Sequence, residues 1–203
     1  LEEELRELRA EKESIMQAYL ELEERLQEIE AQTLSEDALL QAAQKELERY
    51  RISSGVVDVK GPGVIVTVDD PPPSEENPSD GYSTIMLRYD LLLSLVNKLK
   101  DAGAEAISIN GQRIIATTEI SLAGDNVNIN TVPTAPPYTI KAIGNPDTLE
   151  STLTIRYGIV ETMTNTYGLL VGIVKQEELE IPRYSGVIKF RYATPVVPEE
   201  GGS

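Results

Sequence analysis

The chain contains no cysteine and no histidine. These two absences remove thiol nucleophiles, Ser-His catalytic arrangements, imidazole general bases and the usual ligands of structural zinc. Missing cysteine fits an oxidising compartment, although many cytosolic chains lack it too. Tryptophan is absent, and one phenylalanine, Phe190, stands against nine tyrosines. Basic residues are scarce: 18 Lys and Arg face 34 Asp and Glu, for a formal net charge of −16. That balance argues against nucleic acid, whose phosphates demand clustered cations, and against a polybasic grip on an anionic membrane. No apolar run approaches the roughly 18 residues of a membrane span, and no signal peptide is visible. The first residue is Leu rather than Met, which leads to the expectation of a trimmed start, with a membrane anchor before Leu1.

What is present begins with a seam. Apolar or near-apolar positions fall at Leu1, Leu5, Leu8, Lys12, Ile15, Tyr19, Leu22, Leu26, Ile29 and Thr33. Steps of four and three alternate without a slip, which is the 3.5-residue repeat of a left-handed coiled coil. Leu1, Leu8, Ile15, Leu22 and Ile29 take position d, and Leu5, Lys12, Tyr19, Leu26 and Thr33 take position a. So narrow a stripe gains little on a lone helix, so a homodimer through these residues is expected. Lys12 at a costs stability and favours a dimer of fixed register. A single helix packed on its own domain is the competing arrangement, which the regular seam disfavours. The dense acidic charge reads as a solvated helix face. After Thr33 the register reads as broken, with Ser35 a candidate cap and Leu39, Ala43, Leu47 and Tyr50 a fresh stripe. A stutter in one helix and a kink both fit. Ser53-Ser54-Gly55 ends the segment, with Gly55 placed to terminate it.

The rest alternates strand and helix signals. Val56–Val59 and Val64–Val68 are β-branched runs around Lys60-Gly61-Pro62-Gly63, a turn or bulge. Pro71 through Gly81 reads as a surface loop. Asp90 is expected to cap a helix over Leu91–Ala102 that buries Leu92, Leu95, Val96 and Leu99 and stops at Gly103. Ala106–Ile109, the Asn110-Gly111 turn and Ile114–Thr117 read as a hairpin. Ile120–Ile129 continues the sheet, and Tyr138–Ile143 is another strand. Asn145 caps a helix over Pro146–Tyr157, with a further turn at Ile159–Thr164. Leu169–Val174 reads as a buried strand, Glu177–Pro182 as an exposed segment and Val187–Tyr192 as a strand-like patch.

The expected architecture is α+β: an N-terminal coiled-coil helix, then a ferredoxin-like antiparallel sheet with two helices on one face. The domains follow as a coiled-coil stalk over 1–52, a globular domain over 56–192 and a disordered tail over 193–203.

Chemistry has few places to reside. Asp69 and Asp70 close a strand and suit a hard cation such as Ca²⁺ or Mg²⁺, but no EF-hand spacing accompanies them and no metal ligand is assigned. Gly61 and Gly63 flank a proline, yet a strand follows where a phosphate-binding loop needs a helix. Of the carboxylates Asp90, Glu105, Glu119 and Asp147, two sit at helix starts, where capping explains them. Asn110, Gln112 and Arg113 are the best candidate contact for a ligand or partner, since Arg113 suits bidentate pairing with a carboxylate or phosphate. The plainer alternative is that Asn-Gly makes the turn and Arg113 pairs with a structural acid. No catalytic or cofactor-binding residue is assigned.

Several segments resemble one bacterial family. Lys60–Asp70 reads KGPGVIVTVDD, Leu92–Ala106 reads LLSLVNKLKDAGAEA and Ile107–Arg113 reads ISINGQR. Pro136-Pro137, Ala142-Ile143-Gly144-Asn145-Pro146 and Ile181-Pro182 follow in order. Together they resemble the YlxW/YlxX-like family of unknown function (DUF881) over nearly the whole chain. The resemblance implies a short cytoplasmic start, one membrane helix, a coiled coil and this domain outside the membrane. It also implies the bacterial cell envelope and cell-division gene neighbourhoods, without an established enzymatic activity. The expected function is therefore a non-enzymatic, extracytoplasmic, membrane-tethered homodimer that meets an unidentified envelope or division protein. The alternative is a small-ligand sensor with its site near Asn110–Arg113.

Overall fold

The computed structural model describes residues 2–72 and 83–196. Most of the loop expected at Pro71–Gly81, and the tail beyond 196, lie outside the described residues. The chain divides into two compact units, Leu1–Tyr50 and Arg51–Ser203.

The first unit belongs to helix α1, Glu2–Ser54, of 53 residues. It runs without interruption, so of the two arrangements that fit after Thr33 the continuous helix is the one that forms. Counting onward in the same steps of three and four reaches Glu36, Leu40, Ala43, Leu47 and Tyr50. A single polar residue, Glu36, had disguised a continuing frame. Backbone propagation is indifferent to such a residue, because its exposed side chain weakens the seam and not the helix. Ile15, Tyr19, Leu22, Leu26, Leu40, Leu47 and Tyr50 are 52–65% exposed within one chain. Lys12 is exposed as well. Leu1 and the side chains of Leu5, Leu8 and Ile29 lie outside the described residues.

The end of α1 is set by Gly55 at φ +78°. Its N–H donates to Ile52 O, while Val56 N–H donates to Arg51 O. This Schellman pattern satisfies two carbonyls that the helix leaves over. The left-handed backbone favours glycine, and a Cβ there would meet Ile115 at 2.5 Å.

In the second unit, β1 (Val59–Asp69) is one strand rather than two valine runs. The Gly-Pro-Gly segment sits inside it as a bulge, with the register shifting between Gly61 and Gly63. A Cβ on Gly63 would fall 1.9 Å from the Ala142 carbonyl oxygen, so this close approach admits only glycine. Val64, Val66 and Val68 alternate inward and are fully buried.

After a short helix α2 (Thr84–Leu87) comes α3 (Asp90–Asp101). Asp90 does not cap it. Tyr89 holds the cap position without a side-chain bond, and both Asp90 carboxylate oxygens instead accept from the Arg88 guanidinium at 2.9 Å. A flanking arginine outcompetes the backbone for that carboxylate.

Strand β2 (Ala106–Ile109) turns through Asn110-Gly111, both at positive φ, into β3 (Gln112–Arg113). The hairpin pairs Ser108 with Arg113 and Ile109 with Gln112. Its second strand therefore lies before Ile114–Thr117, because a two-residue turn pairs the very next residues. Ile120–Ile129 does not extend this sheet. Strands β4 (Ile120–Ala123), β5 (Asn126–Ile129) and β6 (Val132–Thr134) form a separate three-stranded sheet. Tight turns at Gly124-Asp125 and Asn130-Thr131 bind each of its strands to its immediate neighbour.

Strand β7 (Tyr138–Ile143) leads to α4 (Pro146–Leu153), where Asn145 caps as expected by accepting from the N–H groups of Asp147 and Thr148. The helix ends at Leu153, four residues early. A turn α5 (Ile159–Glu161) and a π-helical turn (Thr162–Thr166) follow. Leu169–Val174 and Glu177–Ile181 belong mainly to one 12-residue strand, β8 (Leu170–Ile181). It is an edge strand, with Leu170 and Val174 more than half exposed rather than buried. No strand forms at Val187–Tyr192.

The main sheet runs β3-β2-β7-β1-β8 with every neighbouring pair antiparallel. The path β1-α3-β2-β7-α4-β8 thus places β7 between β1 and β2, and β1 between β7 and β8. Leu92, Leu95 and Leu99 of α3 and Leu149 and Leu153 of α4 join Val64, Val66, Ile107 and Ile140 in one core. Both helices therefore cover the same face. Val127 and Ile129 of the small sheet enter that core too. On the opposite face Ala106, Ile143, Leu179 and Ile181 make a smaller cluster.

Candidate functional site

Asn110, Gln112 and Arg113 share one hairpin, but their polar groups do not converge. The Asn110 amide donates to Ala135 O at 3.3 Å, and its Oδ1 accepts from Thr139 N–H at 2.7 Å. These bonds hold the turn against the segment entering β7. Gln112 and Arg113 are successive strand residues and so point to opposite faces.

Arg113 is 2% exposed. Its guanidinium donates to Ile52 O at 3.1 Å, Val57 O at 3.3 Å and Pro182 O at 3.4 Å. Burial draws its pKa below the ordinary arginine value, opposed by the nearby charge of Asp58. The group stays protonated, since arginine starts so high. The partner of Arg113 is thus a set of main-chain carbonyls, one of them in the last turn of α1. Three charge-assisted bonds in a desolvated setting make this a structural clamp.

Two residues that sequence reasoning missed complete it. Asn130, at φ +52°, donates from Nδ2 to Arg113 O at 2.8 Å. Asp58 Oδ1 accepts from Arg183 N–H at 2.7 Å. The available signal for Asn130 was its own residue type, since asparagine tolerates the left-handed turn conformation. Asp58 offered none, because its partner is remote in sequence.

Beside the clamp lies a cleft of about 530 Å³, with Val59 and Ile181 among apolar lining residues and Lys60, Lys141, Asp58 and Glu180 among charged ones. Lys60 pairs with Glu178 at 3.4 Å, and Lys141 Nζ donates to Glu180 O at 3.5 Å. Mixed charge and existing pairings leave it without the concentrated field that draws a charged ligand.

Asp70 is occupied as well. Its carboxylate accepts from the Ser83 hydroxyl and from Ile85 N–H, holding the start of α2. Among the described residues no group of His, Cys, Asp or Glu is arranged to hold a metal ion. Between α2 and α3, Arg88 joins Asp90, bonds the Tyr167 hydroxyl and lies 4.3 Å from that ring's centroid. The Asp90 carboxyl is held below its ordinary range by Arg88.

A family model described as "Bacterial protein of unknown function (DUF881)" matches residues 46–194. UPF0749 protein Rv1823 of Mycobacterium tuberculosis is 35% identical over 158 residues, covering 73% of this chain and 51% of its own. UPF0749 protein Rv1825 of the same organism is 28% identical, covering 87% of this chain and 58% of its own. UPF0749 protein YlxW of Bacillus subtilis is 33% identical over 122 residues, covering 59% and 51%. This chain thus spans little more than half the length of these relatives. The crystal structure of an uncharacterized conserved protein from M. tuberculosis superposes with a TM-score of 0.60 at 27% identity, covering 74% of this chain and 99% of that one.

Proposed function

We propose a function from the premise that the chain belongs to the DUF881 family of bacterial proteins. It is a non-enzymatic, extracytoplasmic protein, tethered to the cytoplasmic membrane through a segment preceding Leu1. It dimerises through α1 as a coiled coil and presents its α+β domain to another envelope or cell-division protein. The observation that carries this reading is the row of exposed seam residues from Ile15 to Tyr50 on one unbroken helix. Such a stripe is stable in water only when another helix covers it. At a rise of ~1.5 Å per residue the helix measures about 80 Å, longer than the first 33 residues alone would reach.

The domain supports the interaction role by its economy. Its most promising polar hairpin spends its donors on holding the main chain, which leaves the ligand-sensor reading the weaker one. The strand order β2-β7-β1-β8 along the path β-α-β-β-α-β supports a ferredoxin-like core, enlarged by β3 and the small sheet. No helix among the described residues is long and apolar enough to cross a membrane.

Sedimentation equilibrium at micromolar concentration tests the dimer, and a stable monomer refutes it. Protease treatment of intact cells carrying the full-length protein tests the location. Cleavage of the domain from outside is expected, and protection until lysis overturns the extracytoplasmic placement.

A further inference from the structure

We infer that the α1 dimer is parallel and in register, with one seam continuing through Glu36 to Tyr50. This rests on the reading of α1 as the dimerising element. The uninterrupted helix lets a single heptad frame assign every residue to Tyr50 and beyond. In a parallel pair, position g of one helix meets position e five residues later on the other. The frame then pairs Glu4 with Arg9, Arg25 with Glu30 and Glu46 with Arg51, all of opposite sign. Every other such pair holds at most one charge, so none repels.

A fully overlapping antiparallel pair brings g to g and e to e. It sets Glu11 against Glu46 and Glu23 against Glu30, with Glu2 against Arg51 as its one pair of opposite sign, each twice by symmetry. Charge complementarity therefore separates the two orientations. The seam sets a cost against this. In the parallel register Lys12 faces Lys12 and Glu36 faces Glu36, two like-charged layers that weaken the dimer while fixing its register.

The absence of native cysteine makes the orientation directly readable. Ala43→Cys places one thiol at d. Two such residues facing in a parallel pair approach the ~4.4–6.8 Å Cα separation that a disulfide spans. In the antiparallel pair they lie about 46 Å apart, at ~1.5 Å per residue. The expected result is a dimeric mass under reducing conditions and near-complete disulfide-linked dimer on mild oxidation. A dimeric mass with no Ala43→Cys crosslink, while Leu26→Cys near the midpoint does crosslink, overturns the orientation and leaves the dimer standing. A monomeric mass overturns both. As a second readout, Arg51→Glu is expected to weaken association about five- to tenfold, and adding Glu46→Arg to restore it. Failure of that rescue alongside a dimeric mass counts against the parallel register.

Discussion

Leu92, Leu95 and Leu99 lie wholly buried on a helix of 12 residues, whereas Leu22, Leu26 and Leu47 stand 52–64% exposed on a helix of 53. Both helices carry leucine at helical spacing, yet the spacing differs in kind. The stripe of α3 is broad and finds its counter-surface in its own sheet, where Val64, Val66 and Ile140 receive it. The stripe of α1 follows the narrower 3.5-residue repeat, and among the described residues its apolar members from Ile15 to Tyr50 stand exposed within one chain. The domain is thus covered by its own packing, whereas the seam of α1 stands exposed within one chain.

That contrast can be attacked from the domain side first. Leu95→Ala opens a cavity in the core and is expected to cost about 2–5 kcal/mol in urea unfolding followed by circular dichroism, leaving the association constant of α1 unchanged. Arg113→Ala comes next. It strips bonds from three main-chain carbonyls, with an expected loss of about 1–3 kcal/mol. Hydrogen exchange should locate that loss at residues 55–58 rather than in α3. From the helix side, Leu47→Ala is expected to move domain unfolding by no more than about 0.5 kcal/mol, as for an exposed site. The same change should weaken dimerisation clearly by sedimentation, and a reversed pattern would erase the contrast.

The smallest effect concerns pH. Asp90 beside Arg88 has a folded pKa below its ordinary value, so the stability it contributes is present above about pH 4 and is lost as pH falls through the folded value. Both side chains are partly solvated, which keeps the effect slight. Asp90→Asn should flatten that acid limb in a pH series of unfolding midpoints.

Local signals made much of this fold legible. Tyr138–Ile143 alternates strictly, Asn145-Pro146 is a capped helix start, and Asn110-Gly111 is a two-residue turn, each complete within a few residues. What escaped depended on distant partners. β8 read as two pieces because Lys175, Gln176, Glu177 and Glu178 interrupt its apolar character, and its continuity comes from pairing with β1. Asp90 is the local exception: it reads as a cap, but Arg88 two residues before it takes its carboxylate. Arg113 stands out in the sequence as a candidate ligand or partner contact, but its acceptors come from residues 52, 57 and 182, which no spacing connects.

One corner of the domain has a consequence for how the chain is threaded. Tyr184 N–H donates to Gly55 O at 2.8 Å, and Arg183 N–H reaches Asp58. The polypeptide therefore enters and leaves the domain through the same doorway, with Arg113 as its latch. A bead strung in this way can be spliced into a longer polypeptide while its flanking segments stay side by side. Joining its two ends by a short linker and reopening the chain at the Gly124-Asp125 turn should give a circular permutant that folds.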